Sequence, residues 1–139
     1  MKTSLKILLI SLILMLAGCP GYENKSDKLT KTLREFHTLL KFKEFLRASE
    51  YIVPFYHKEF MDRFASGKVM IEDFEVRGLE TDSKNLDKME VTVRLLLRPN
   101  RSMTVKTITM VERWTYTKMS WKLTNIHKLS EVKHKPGNL

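Results

Sequence analysis

Few side chains in this chain of 139 residues are of the kinds that do chemistry. There is one thiol, Cys19, and there are four imidazoles, His37, His57, His127 and His134. An imidazole beside a carboxylate can move a proton near neutral pH, because its own charge changes there. His37 or His57 with Asp62 is the pairing that would suit such work, in a pocket apolar enough to push a carboxyl pKa upward. No diagnostic spacing joins these residues, and they read first as surface or rim side chains. The histidines are scattered, with no close pair at metal-ligand spacing. No glycine-rich loop is present to cradle a phosphate, and spacing reveals no Ser-His-Asp arrangement. On these grounds no catalytic residue, metal or cofactor is expected.

The thiol has a more informative setting. A basic start (Lys2, Lys6) leads into an apolar run over residues 7–16, and small residues follow. That order is the layout of a cleaved secretory signal. The run is about a dozen residues, short of the roughly 20 that span a bilayer as a helix. Leu16-Ala17-Gly18-Cys19 resembles the lipobox of bacterial lipoproteins. The resemblance implies cleavage between Gly18 and Cys19 and acylation of Cys19 with two or three chains, palmitate among them. Each buried methylene contributes roughly 0.8 kcal/mol and one chain anchors only marginally, so two or three would make detachment negligible. Pro20 stands where aspartate commonly signals inner-membrane retention. In a host with two membranes the implied address is therefore the outer membrane, facing the periplasm.

Removal of residues 1–18 would leave 121 residues, enough for one core and too few for two. With 42% apolar residues the chain is not of disordered composition. If Cys19 carries lipid, no thiol remains for a disulfide or a nucleophile. The formal charge of +9 would fall to +7 with the signal's two lysines gone. Such a balance suits nucleic acid, anionic lipid or an acidic protein surface. An exported chain meets little nucleic acid, so no nucleic-acid partner is expected. Lipid headgroups and an envelope protein partner remain, beside the plain reading of the lysines as a solubilising face.

Residues 19–27 are polar with Pro20 and Gly21, and read as a flexible tether. Leu29, Leu33, Phe36 and Leu40 then recur at helical spacing, predicting an amphipathic helix over about 26–45 capped by Ser26 or Asp27. A shorter helix over 44–53 should stop before Pro54. Another, holding Phe55, Tyr56, Phe60, Met61 and Phe64, should end near Gly67. Period two follows. A strand with Val69, Ile71, Val76 and Leu79 is disturbed around Glu72-Asp73-Phe74, and a polar turn is expected over 81–88. Met89, Val91, Val93, Leu95 and Leu97 alternate with polar residues in the clearest strand of the chain. A third strand over 103–116 shifts its inward face, which suggests a bulge. Trp121 to Ile126 closes the sheet. Residues 28–127 read as the domain, and the basic tail 128–139 as frayed.

Helices followed by a four-stranded meander predict an α+β domain, N-terminal helices packed on a curved antiparallel sheet. The segments around 41–52, Phe60-Met61-Asp62-Arg63-Phe64, and Glu112-Arg113-Trp114 with Trp121-Lys122-Leu123 resemble the nuclear transport factor two-like superfamily, a cone-shaped fold. Enzymes of related folds use acids or a His–Asp pair inside the cone, and here the clearest strand implies an oily lining. Aromatics at helical spacing (Phe36, Phe45, Tyr51, Phe55, Tyr56, Phe60, Phe64) are core, or else line a pocket for an apolar ligand. Tyr56, Phe60, Trp114 and Trp121 are the pocket candidates, the two tryptophans being cross-strand partners on the last hairpin. The leading expectation is a lipid-anchored, non-enzymatic module of the cell envelope that binds a protein partner or the membrane surface. The alternative is a carrier or sensor of a small apolar ligand, and less favoured is a cone-fold isomerase or dehydratase.

Overall fold

The computed structural model describes residues 24–101 and 103–134. The signal peptide, the lipobox and Cys19 lie outside the described residues. Helix α1 spans Lys25–Lys41. Its stripe of Leu29, Leu33, Phe36 and Leu40 is buried, as the spacing predicts. The cap is Asn24, neither Ser26 nor Asp27: Asn24 Oδ1 accepts from the Asp27 amide at 2.8 Å. Residues 25–27, expected in the tether, therefore belong to the helix.

The C-terminus of α1 closes with a specific turn. The Glu44 amide donates to the Leu39 carbonyl at 2.8 Å, and the Lys43 amide to the Leu40 carbonyl at 3.1 Å. Lys43 sits at φ 60°, the left-handed position at which glycine is usual. A side chain there costs about 1–2 kcal/mol. The single turn α2 (Phe45–Ala48) follows, then 3₁₀ turns at Ser49–Tyr51 and Pro54–Tyr56, and helix α3 over His57–Phe64. Gly67, at φ 70°, makes the turn into the sheet.

Four antiparallel strands pair in chain order: β1 (Val69–Asp82), β2 (Asn85–Pro99), β3 (Val105–Thr117) and β4 (Ser120–His134). The turn expected over 81–88 contracts to residues 83–84, because the Asp82 carboxylate accepts from the Lys84 amide at 2.8 Å and the strands run up to it. The β3–β4 turn places Lys118 and Met119 both at positive φ, as a two-residue hairpin of matching twist requires.

Irregularities fall on both edge strands and beside the β1–β2 turn, where Asp82 pairs with Asn85 and Leu86, Asp87 and Lys88 of β2 have no partner in β1. Register shifts leave Glu72 and Arg77 as extra residues in β1, and Thr124 and Leu129 in β4. The bulge expected in β3 thus belongs to its partner. Strand β3 keeps one alternation, burying Met110, Glu112 and Trp114. In β4 the bulge at Thr124 switches parity, so burial passes from Trp121 and Leu123 to Ile126. Strand β4 also corrects the frayed tail: residues 128–134 pair with β3 back to Val105.

Helices α1 and α3 cover one face of the sheet. The core joins Phe36, Leu40 and Phe60 to Val91, Val93 and Leu95 of β2 and to Trp114 and Leu123. Among the described residues no helix is long and apolar enough to cross a membrane.

Candidate functional site

Two places inside the cone differ in kind. The first is a polar centre with no access. His37 follows Phe36 on the buried side of α1, and Glu112 stands between Met110 and Trp114 on the inward face of β3; both are 0% exposed. The imidazole Nδ1 lies 2.7 Å from the Leu33 carbonyl, and Nε2 lies 2.7 Å from Glu112 Oε1. The other carboxylate oxygen, Oε2, accepts from the Trp114 indole at 3.0 Å. Phe74 stacks on the imidazole at 5.0 Å between ring centroids, and Phe36 meets it edge-on at 5.2 Å.

Burial works against the charged imidazole and would lower its pKa. The negative charge of Glu112, its hydrogen bond and the Leu33 carbonyl outweigh this and hold His37 above the ordinary 6.5. An imidazolium donates from both nitrogens, which matches two acceptors on opposite sides of the ring. Every polar atom of this centre has a partner, so it is a buried, fully partnered pair in a ring of aromatics.

The second place is open. A groove of about 340 Å³ lies at the mouth of the cone, between the C-terminal end of α1 and the sheet. Leu40 of α1, Phe45 of α2 and Phe64 of α3 form one wall. Val69 and Ile71 of β1, Leu95 and Leu97 of β2, and Ile108 and Met110 of β3 form the other. Lys43, Arg63 and Lys128 complete the lining. The parity switch at Thr124 is what brings Lys128, two residues after the buried Ile126, to this side of the sheet. The size is at the low end for small-molecule sites.

The sequence-derived candidates map onto these places unevenly. Tyr56, Phe60, Trp114 and Trp121 are all buried core, and none lines the mouth. Of the wider aromatic set, Phe45 and Phe64 line it, whereas Phe55 is 80% exposed. The tryptophans are not directly opposite: Trp114 pairs with Leu123 and Trp121 with Tyr116. Trp114 packs edge-on against Phe36 at 5.3 Å, and the Trp121 indole donates to the Lys25 carbonyl at 2.8 Å. Among the described residues no His–Asp pair forms. Asp62 is exposed and bonds Lys58 at 2.7 Å, His57 is exposed, and the partner of His37 is Glu112.

Sequence reasoning quoted Glu112 only within a motif and missed its pairing with His37, and it did not pick out Lys43, Arg63 and Lys128 at the mouth. The signal for Glu112 was parity: an acid two residues from both Met110 and Trp114 shares their face. The lining of the cone is apolar along β2, as expected, but β3 adds one carboxylate to it. Among the described residues no cluster of His, Cys, Asp and Glu could hold a metal ion.

No protein-family model matches the chain, and no curated protein matches it in sequence. Solved structures do match in fold. A candidate Ca/calmodulin-dependent kinase II association domain from Exiguobacterium sibiricum aligns at TM-score 0.60 and 13% identity, over 76% of this chain and 94% of its own. An NTF2-like protein from Cytophaga hutchinsonii aligns at TM-score 0.56 and 11% identity, over 76% of this chain and 99% of its own. At such identities the likeness establishes a fold: three helices and a curved four-stranded antiparallel sheet in the NTF2-like α+β arrangement.

Proposed function

We propose that this chain is an envelope-tethered binding domain that takes an apolar ligand into the mouth of its cone and does no chemistry of its own. The observation that carries the reading is the open groove of about 340 Å³ with an apolar floor. Apolar surface left open on a well-packed domain is unfavourable unless something covers it. The complete burial of His37 and Glu112 supports a non-catalytic role, since a substrate has no route to either. Between the two binding readings, the groove favours the ligand carrier over the protein-binding module.

The tether is part of the proposal. Acylated Cys19 would be joined to Asn24 by about 17 Å of extended chain. Helix α1 enters the domain at Lys25, and its far end at Lys41 lies about 25 Å further on. The mouth is at that far end, so the leash would hold the opposite end of the cone nearest the membrane.

Binding of the neutral apolar fluorophore N-phenylnaphthylamine to the full chain in amphipol tests the groove, with Ile108→Trp as the blocked control. Saturable emission from the native chain that the variant lacks is the expected result. Equal emission from both would remove the reading. Mass spectrometry tests the tether: an acylated peptide beginning at Cys19 is expected, and an unmodified terminus at Met1 would contradict it.

A further inference from the structure

The rim of the groove has one sign of charge. Of its twelve lining residues nine are apolar, three are cationic and none is acidic. Arginines of the sheet are matched by acids, Arg94 by Glu75, Arg98 by Glu72 and Arg113 by Glu90, and the rim Arg63 is matched by Glu59. At the rim, Lys43 has no ion-pair partner among the described residues. The Arg63 guanidinium is held in place, donating to the Ile126 carbonyl at 3.1 Å and to Glu59 Oε1 at 3.0 Å. Two of its five N–H groups are used in this way, and three remain.

The turn that carries Lys43 adds an independent observation. Its φ of 60° is the conformation in which glycine closes such helix ends. A lysine there is held against its backbone preference, at the edge of an apolar opening. Strain of this kind persists where the surroundings over-determine it, and it gathers at ligand clamps.

We infer that the ligand is a single acyl chain with one anionic head, the head held by Lys43, Arg63 and Lys128 and the chain lying on Leu97, Ile108 and Met110. The inference rests on the reading of the groove as a ligand site. At about 30 Å³ for each water-sized group, the groove holds a chain of about eight to twelve carbons. Carboxylate and phosphate monoester heads share this chemistry, since both accept charge-assisted hydrogen bonds from lysine and arginine.

Calorimetric titration of the full chain in amphipol, against amphipol alone, tests the inference. The probes are decanoate, decyl phosphate, decanol and decyltrimethylammonium. At least one anion is expected to bind about tenfold or more tightly than decanol, with the cation weakest. The tighter of the two anions identifies the head. Lys43→Gly combined with Lys128→Gln should lower the anion-to-decanol ratio several-fold, Arg63 keeping the remainder, with decanol binding unchanged. Glycine suits the turn, so the fold is kept. Decanol binding as tightly as both anions would overturn the charge inference and leave the groove a ligand site. Absence of binding by all four would overturn both. A ratio that survives undiminished in the double variant would show that these lysines do not hold the head.

Discussion

The sealed centre and the open mouth of this cone are built by the same two elements, α1 and β3, a few residues apart. At His37 and Glu112 the sequence places ionisable groups, the usual means of catalysis, and the fold encloses them until every polar atom is partnered. At the mouth Leu40 and Met110 are buried at the back of the groove, and Ile108 of β3 with Phe45, Val69 and Ile71 leaves apolar surface partly open. Residue type alone would assign function to the first region and packing to the second. Accessibility reverses the assignment on the reading proposed above: the buried, fully partnered pair is taken to hold helix to sheet, and the apolar groove to take the ligand.

Variants can break this contrast, and the largest effect belongs to the sealed centre. Glu112→Ala leaves the buried His37 Nε2 and the Trp114 indole N–H without acceptors, and should cost about 3–5 kcal/mol of unfolding free energy in a denaturant titration. Replacing the pair together, His37→Leu with Glu112→Leu, should cost much less, because no uncompensated charge remains. Equal losses would mean that the pair is not the unit that matters. The open mouth should respond in the opposite sense. Ile108→Trp, at a partly buried lining position, should abolish ligand binding while changing stability by less than about 1.5 kcal/mol.

A smaller effect follows from the charge on His37. Its folded pKa is raised above 6.5, so folded and unfolded chains both carry the imidazolium at pH values below 6.5, and the pair's contribution is fully present there. As pH rises through the raised folded value the proton leaves and the contribution is lost. The denaturant midpoint should therefore fall as pH rises above 6.5, and the His37→Leu, Glu112→Leu variant should flatten that slope. The smallest effect belongs to the surface. Asp62→Asn and His57→Ala touch only exposed groups, and should move neither the midpoint nor ligand affinity. A clear loss of ligand binding in either would shift the site toward α3.

The parts of this molecule that follow simple periods were legible. The α1 stripe is buried residue for residue, as is the inward face of β2 from Val91 to Leu97, with Met89 only partly buried, because 3.6 and 2 are the repeats those elements impose. Legibility fails where a period is broken. Thr124 inserts one residue into β4 and moves Lys128 to the side of the groove, a step that no alternation pattern predicts. Tyr56, Phe60, Trp114 and Trp121 are large enough to suggest a pocket, but volume equally suits a core, and only the packed arrangement tells them apart. Residues 128–134 look like a tail because the stretch is basic and leads to Pro136-Gly137, whereas the ladder continues through them to His134. Asn24 went unnoticed as the cap because Ser26 and Asp27 are equally good caps by type, and the choice depends on where the first turn lies.

Methyl and indole NMR of the full chain during titration with decanoate tests the central claim most directly. Ligand in the mouth predicts that the Leu97, Ile108 and Met110 methyl signals shift together and saturate, while the Trp114 indole beside Glu112 stays in place. An unchanged mouth, or shifts that begin at Trp114, would contradict the account.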